Sequence, residues 1–224
     1  LIINGAECEP YITSDYRCFM EEGEDVLEGV LLMLKYLGIP KCVIGIEKNK
    51  PKAIEKMTRL CEKHDNITVK PLKSSYPQGA EKTLIFSTTG RVVKEGTLPL
   101  ASGCIVINSS TAAFIAQYIR TGMPLVKRRI TVDGNIVKKP SNFIVPVGMS
   151  IGEIVYYAEL SDKPDRIILG GPMMGACAFD PDYPLSKTNN AVLMFADSPV
   201  YEPSDCIRCG KCVKACSMNL LPTE

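Results

Sequence analysis

Histidine is nearly missing from this chain: of 224 residues only His64 carries an imidazole, in the polar stretch Glu62-Lys63-His64-Asp65-Asn66, where a solvated loop is expected. Excess charge of either sign is missing too, with Lys+Arg 26 against Asp+Glu 25 and a formal net charge of +1. Neither a global field nor a basic run draws such a chain to nucleic acid. No apolar stretch approaches the roughly 20 residues that a membrane-spanning helix needs, and no charged-then-apolar leader opens the sequence. What is present is ordinary globular material, 46% hydrophobic and 23% charged. That is enough for one large domain with smaller appendages. Leu1 already lies in an apparent strand and the last residues follow a cysteine run directly, so both ends are expected to continue in a longer chain.

Ten cysteines raise the question of a disulfide framework, but frameworks suit short chains poor in aliphatic residues. Six of the ten are scattered: Cys8, Cys18, Cys42, Cys61, Cys104 and Cys177. They read as small buried hydrophobes or surface thiols in a reducing, cytoplasmic compartment.

The apolar residues of the 23–37 segment recur at helical spacing, and Gly38 with Pro40 closes the run. Residues 42–46 read as a buried strand, 51–63 as a helix opened by Pro51, and 67–72 as another strand. The rhythm returns at residues 104–108, a strand that runs into a helix over 112–119. Strand, helix, strand in this order implies an α/β domain with a parallel sheet over residues 1–125. A small β-rich module follows over 126–178, expected to open with a hairpin in which 129–132 and 135–137 pair about Asp133-Gly134. Further strands are expected at 143–147 and 166–169, with a short helix over 151–160. Residues 179–205 read as a loose connector with one strand over 191–195, and 206–224 as a separate segment.

That last segment carries the most specific chemistry. Cys206, Cys209, Cys212 and Cys216 have the C-x2-C-x2-C-x3-C spacing of bacterial ferredoxins, which lets a short looped backbone present three thiolates to one cubic [4Fe–4S] cluster. Zinc would want two separated cysteine pairs. In two-cluster ferredoxins the fourth cysteine of each run serves the other cluster, so Cys216 points to a second cluster with ligands downstream. Without that downstream run, and with Ser217 where proline is customary, this segment alone is not expected to hold an intact cluster.

The run Asn4-Gly5-Ala6-Glu7-Cys8-Glu9-Pro10, then Tyr76-Pro77-Gln78-Gly79-Ala80-Glu81-Lys82, then Asn108-Ser109-Ser110-Thr111-Ala112 occur in the order seen in the C subunit of Rnf ferredoxin:NAD oxidoreductase complexes, which the chain resembles throughout. These runs are also similar to the FMN-carrying subunit of respiratory NADH dehydrogenase. Gly170-Gly171-Pro172-Met173-Met174-Gly175 and the cysteine run look like the Rnf subunit specifically. The resemblance implies a Rossmann-like FMN-binding domain, a β-grasp module of the soluble-ligand-binding type and the start of a ferredoxin-like domain. It implies that Asn4, Glu7 and Glu9 line a flavin and nicotinamide pocket, that Tyr76, Gly79 and Glu81 form its facing loop, and that Asn108 and Thr111 approach the FMN. The implied cofactors are FMN and two [4Fe–4S] clusters, with NAD(H) as substrate. The implied partners are other Rnf subunits at the cytoplasmic face of the cell membrane, where the chain sits peripherally. The family's glycine-rich phosphate loop lies upstream of Asn4, so the dinucleotide cradle is expected to be incomplete here.

Local chemistry leaves each of these roles a plainer alternative. Asn108-Ser109-Ser110-Thr111 at a helix start suits a phosphate at the positive end of the dipole, and equally an ordinary N-cap. Glu7 and Glu9 follow a strand end, where alternate positions can aim two carboxylates into one cleft, or can be solvated acids. Tyr76-Pro77-Gln78-Gly79 is turn chemistry in either case. The β-rich module shows no cluster of titratable residues and reads as a spacer between flavin and clusters. Hydride transfer between nicotinamide and flavin needs stacked rings and a dry site, so no catalytic acid–base pair is expected. A cobalamin- or proline-reductase component of the same architecture, and a non-catalytic iron–sulfur docking subunit, are the rival readings.

Overall fold

A computed structural model describes residues 1–196, 202, 204–216 and 220–222. Its first half is β1 (Ile2–Gly5), α1 (Ser14–Tyr36), β2 (Cys42–Glu47), α2 (Pro51–Cys61), β3 (Ile67–Leu72), α3 (Glu81–Thr89), β4 (Val106–Asn108) and α4 (Ser109–Thr121). The four strands form an all-parallel sheet in the order β3-β2-β1-β4. Adjacent residues of β1 face opposite ways, as a pleated strand requires. Ile3 packs with Val26, Val30, Met57 and Ala112 of α1, α2 and α4 on one face, and Ile2 with Leu84 and Ile85 of α3 on the other.

The helix expected over 23–37 starts nine residues earlier, at Ser14, and kinks at Glu22, whose φ of −122° leaves the helical range. That first stretch has no N-cap side chain to mark it, the carboxylate of Glu7 receiving its first amides instead, and it buries only Ser14, Cys18 and Phe19. α3 has no clear signature in the sequence; its buried side is little more than Leu84, Ile85 and Thr88, too short a pattern to stand out. α4 ends on Gly122, in the left-handed conformation with its N–H on the Tyr118 carbonyl.

The second half is β5 (Lys127–Asp133), β6 (Ser141–Pro146), α5 (Ile151–Ala158), β7 (Arg166–Leu169), β8 (Ala176–Ala178) and β9 (Ala191–Phe195). The strand order is β6-β5-β9-β7-β8, with β5 and β9 parallel at the centre, which is the β-grasp arrangement. The expected hairpin is corrected. β5 pairs with β6, Arg129 facing Ile144, while residues 134–140 form the loop between them. Asp133-Gly134-Asn135 does not reverse the chain directly. Gly134 lies so close to β9 that a Cβ would fall 1.8 Å from the Met194 carbonyl oxygen, and Asn135 exchanges two hydrogen bonds with the backbone of Ala196. The stretch read as a connector supplies the central strand of this sheet: residues 191–194 are all buried, as a strand covered on both faces must be. A short helix, α6 (Lys211–Ala215), follows within the cysteine run; Ser217 lies outside the described residues.

The two sheets meet along residues 11–13. Ile12 packs with Ile168, Ala191 and Leu193, and the Tyr11 ring meets Phe195 edge-on at 5.3 Å. Thr13 donates its N–H to Thr131 Oγ1 at 3.0 Å, and its own Oγ1 accepts from Asn142 at 2.8 Å. Arg129 of β5, its side chain 8% exposed, is held by Glu21 and by Glu22 at the helix kink.

Within the first domain the tightest approach is between α1 and α4, where a Cβ on Gly29 would lie 1.9 Å from the Ala112 carbonyl oxygen. In an open helix Gly→Ala gains about 1 kcal/mol. For Gly29→Ala the opposite sign is expected, a loss of about 3 kcal/mol from forced separation of the helices, measured by urea unfolding. An unchanged or raised midpoint would show that the two helices do not need this contact.

Candidate functional site

The chain steps from β1 to β2 on one side and places β4 on the other side of β1, so the carboxyl ends of β1 and β4 flank a topological switch point, where open α/β sheets bind ligands. A cavity of about 300 Å³ lies beside the loop that leaves β1. That loop contributes Ala6, Glu7, Cys8 and Glu9, and Ile12 and Asp15 follow on the way into α1. Tyr76, Pro77, Gly79 and Ala80 form the facing wall, with a cis peptide bond at Tyr76-Pro77. Met174 and Asn190 reach it from the β-grasp domain, which is therefore more than a spacer.

Of the residues implied for this site, Glu7, Glu9, Tyr76 and Gly79 line the cavity. Asn4 stands behind it. Its Nδ2 donates to the Gly79 carbonyl at 2.9 Å and its Oδ1 accepts the Ala6 N–H at 3.1 Å, pinning the facing wall to the loop after β1. The wall sits so close that a Cβ on Gly79 would fall 2.6 Å from the Ala6 carbonyl oxygen. Asn108 is the N-cap of α4, accepting from Ser110 N–H at 2.9 Å, and its Nδ2 donates to both oxygens of Asp15. Glu81 and Thr111 are exposed in the first turns of α3 and α4, outside the cavity lining. Asp15 is not legible as a site residue in the sequence; an acid in the first turn of a helix is common, and only the fold brings it against Asn108 and Ser109.

Two carboxylates stack their demands here. Glu7 accepts the N–H of Asp15 at 2.7 Å and that of Tyr16, and pairs with Lys50 at 3.1 Å. Burial, aided by the neighbouring Asp15 charge, nevertheless pushes its carboxyl up to about 7, against the pull of Lys50 and the Asp15 amide. Asp15 is raised as well, by burial, with the Asn108 hydrogen bonds opposing. Burial also raises the Cys8 thiol, which makes a thiolate nucleophile unfavourable there. Cys18 and Cys42, pushed up to about 12 by burial, behave as core hydrophobes.

The lining offers more apolar than polar surface, its acceptors being the carboxylates of Glu7, Glu9 and Asp15, and among the described residues it includes no lysine or arginine. Such a cavity fits a flat heteroaromatic ring with N–H edges and a polyol, as in a flavin, and leaves a phosphate to be held elsewhere.

Residues 1–117 match the Nuo51 FMN-binding domain. The chain belongs to that family. Residues 199–219 match the 4Fe-4S binding domain. The chain is 41% identical, over 99% of its length, to the C subunit of the proton-translocating ferredoxin:NAD(+) oxidoreductase complex of Clostridium ljungdahlii, of which it covers 49%. It is 39% identical to the C subunit of the Na(+)-translocating complex of Acetobacterium woodii, with 99% of this chain and 51% of the relative covered. The chain thus spans about half the length of the curated relatives it matches. The resemblance to the Rnf C subunit is borne out. In fold it matches a crystal structure of H2-reduced NAD+-reducing [NiFe]-hydrogenase with a TM-score of 0.72 at 18% identity, over 87% of this chain and 40% of that one.

In the cysteine run, Cys206 and Cys209 are exposed on the loop before α6, Cys212 is exposed within it, and Cys216 is half-buried beyond it. Arg208 N–H points at Cys206 Sγ at 3.3 Å and Leu220 N–H at Cys216 Sγ at 3.4 Å. Backbone donors to sulfur suit cluster thiolates. Among the described residues, however, no three Cys, His, Asp or Glu side chains converge as metal ligands. It is the spacing of the four cysteines, within the segment 206–216, that fits a cluster.

The raised Glu7 carboxyl gives a pH signature. The folded chain keeps this proton up to about 7, whereas an unperturbed glutamate loses it near 4.5. Between those values the folded state binds more protons than the unfolded one, so the Glu7 contribution makes stability fall as pH rises through that window and level off above it. Glu7→Gln is expected to flatten this slope in urea unfolding between about pH 5 and pH 8. Identical slopes in the two proteins would mean that Glu7 is already ionised throughout.

Proposed function

We propose that the chain is the flavin-bearing and first cluster-bearing part of a subunit that passes electrons between NAD(H), FMN and [4Fe–4S] clusters in an ion-translocating ferredoxin:NAD oxidoreductase. The observation that carries this is the joining, in one chain, of an FMN-family sheet with a cavity at its switch point to a ferredoxin-spaced cysteine run. Bound flavin supplies the conversion between two-electron hydride chemistry and one-electron transfer. The protein's own task is to hold and shield: Glu7 and Asp15 set the loop after β1 and the start of α1, Asn4 fastens the Tyr76–Gly79 wall, and Asn108 keeps the first turn of α4 beside them.

Glu9, Tyr76 and Gly79 face the flavin ring in this reading. Glu81 and Thr111 stand outside the cavity and serve parts of FMN or NAD(H) that extend beyond it. Cys206, Cys209 and Cys212 bind one cluster and Cys216 a second. The relatives are named as C subunits of translocating complexes, so other subunits of such a complex are the partners. Among the described residues no helix is long and apolar enough to cross a membrane. That supports peripheral attachment, which we assign to the cytoplasmic face.

The test is flavin and iron analysis, with a visible spectrum, of the full-length protein purified anaerobically. Bound flavin with about eight irons, two cubane clusters, is the expected result. Clusters without flavin would reduce the protein to an electron relay or docking subunit.

A further inference from the structure

Met174 reaches the cavity from the other domain, at the tip of the turn that joins β7 to β8. The turn is closed by Gly175 N–H on the Gly171 carbonyl at 2.7 Å and tied to β9 by Gly170 N–H on the Ala191 carbonyl at 2.8 Å. Between these bonds the Met173 N–H donates to Glu9 Oε2 at 2.9 Å. The approach leaves no space for a side chain: a Cβ on Gly171 would lie 2.2 Å from that same carboxylate oxygen. A turn from the β-grasp domain is thus docked, through its backbone, on the loop that lines the cavity.

Packing does not account for its two methionines. Met173 is 54% exposed and Met174 is 79% exposed, so neither side chain is held by the core, and Met174 borders the cavity. A thioether on a flexible stem is the side chain best able to settle on the face or edge of an aromatic ring.

We propose that Met174 is the cover of the cavity, packing on the bound flavin ring and excluding water from it, and that Glu9 is a positioning residue holding this cover through the Met173 amide. The inference rests on the flavin reading above. It gives Glu9 a role exerted through the turn, where the family resemblance implies only that it lines the pocket.

The experiment uses the full-length protein with FMN as probe, measuring its dissociation constant and the quenching of bound-flavin fluorescence by iodide. Met174→Ala and Glu9→Ala are each expected to weaken binding by about three- to tenfold and to raise iodide access. Their double variant is expected to be no worse than either alone. Glu9→Gln, which keeps an acceptor oxygen for Met173 N–H, is expected to raise iodide access less than Glu9→Ala does. Met174 is exposed, so its truncation leaves folding intact. Wild-type flavin binding with unchanged iodide access in Met174→Ala overturns the cover alone, and a Glu9→Gln defect equal to that of Glu9→Ala overturns the latch. A wild-type protein that binds no flavin overturns the flavin reading and the cover together.

Discussion

The carboxylate of Glu7 is the point on which the first domain and its cavity both turn. It leaves β1 at the carboxyl end of the sheet, receives the first amides of α1, and pairs with Lys50 at the threshold of α2. Three elements that diverge from the sheet are thereby fixed at one buried group. A negative charge at a helix N-terminus is favourable, but burying it is not. The two effects leave a carboxyl poised near neutrality at the wall of a cavity. Removing either member of a buried pair leaves the other uncompensated, so the network ties the geometry of the site to the folding of the domain.

From that point the constraint passes outward through residues 9–13. Glu9 holds the Met173 amide, Tyr11 packs on Phe195, Ile12 enters the apolar cluster between the sheets, and Thr13 bonds to Thr131 and Asn142. Tyr11 adopts a positive φ of 68°, a conformation costly for an aromatic residue and sustained by its surroundings. The loop that lines the cavity is thus pressed between two domains. A β-grasp module placed this way shares in building the cavity and keeps its loop from relaxing.

Much of the fold is legible in the sequence because its signals are local. The strands at 67–72, 166–169 and 191–195 are short apolar or β-branched runs, and α2 begins at Pro51 as its sequence requires. The cysteine spacing and the Asn4 to Pro10 run specify their chemistry within a few residues. α3 escapes such a reading because its buried side is so narrow. The first two turns of α1 escape it because their cap, Glu7, lies eight residues ahead of Asp15. The Asp133-Gly134 turn misleads because turn chemistry at a chain reversal and a glycine pressed on a neighbouring strand look alike in one dimension.

By itself the sequence determined the alternation of strands and helices, the family, and the ferredoxin spacing, since each is set by residue type and separation along the chain. Only the tertiary structure decided which side chains meet. Asn4 went to a staple and Asn108 to a cap that engages Asp15; Glu9 was given to an amide 164 residues away. The physical reason is that a carboxylate or amide has no preferred partner until burial removes water as its competitor, and which donors are then within reach is a property of the packed chain.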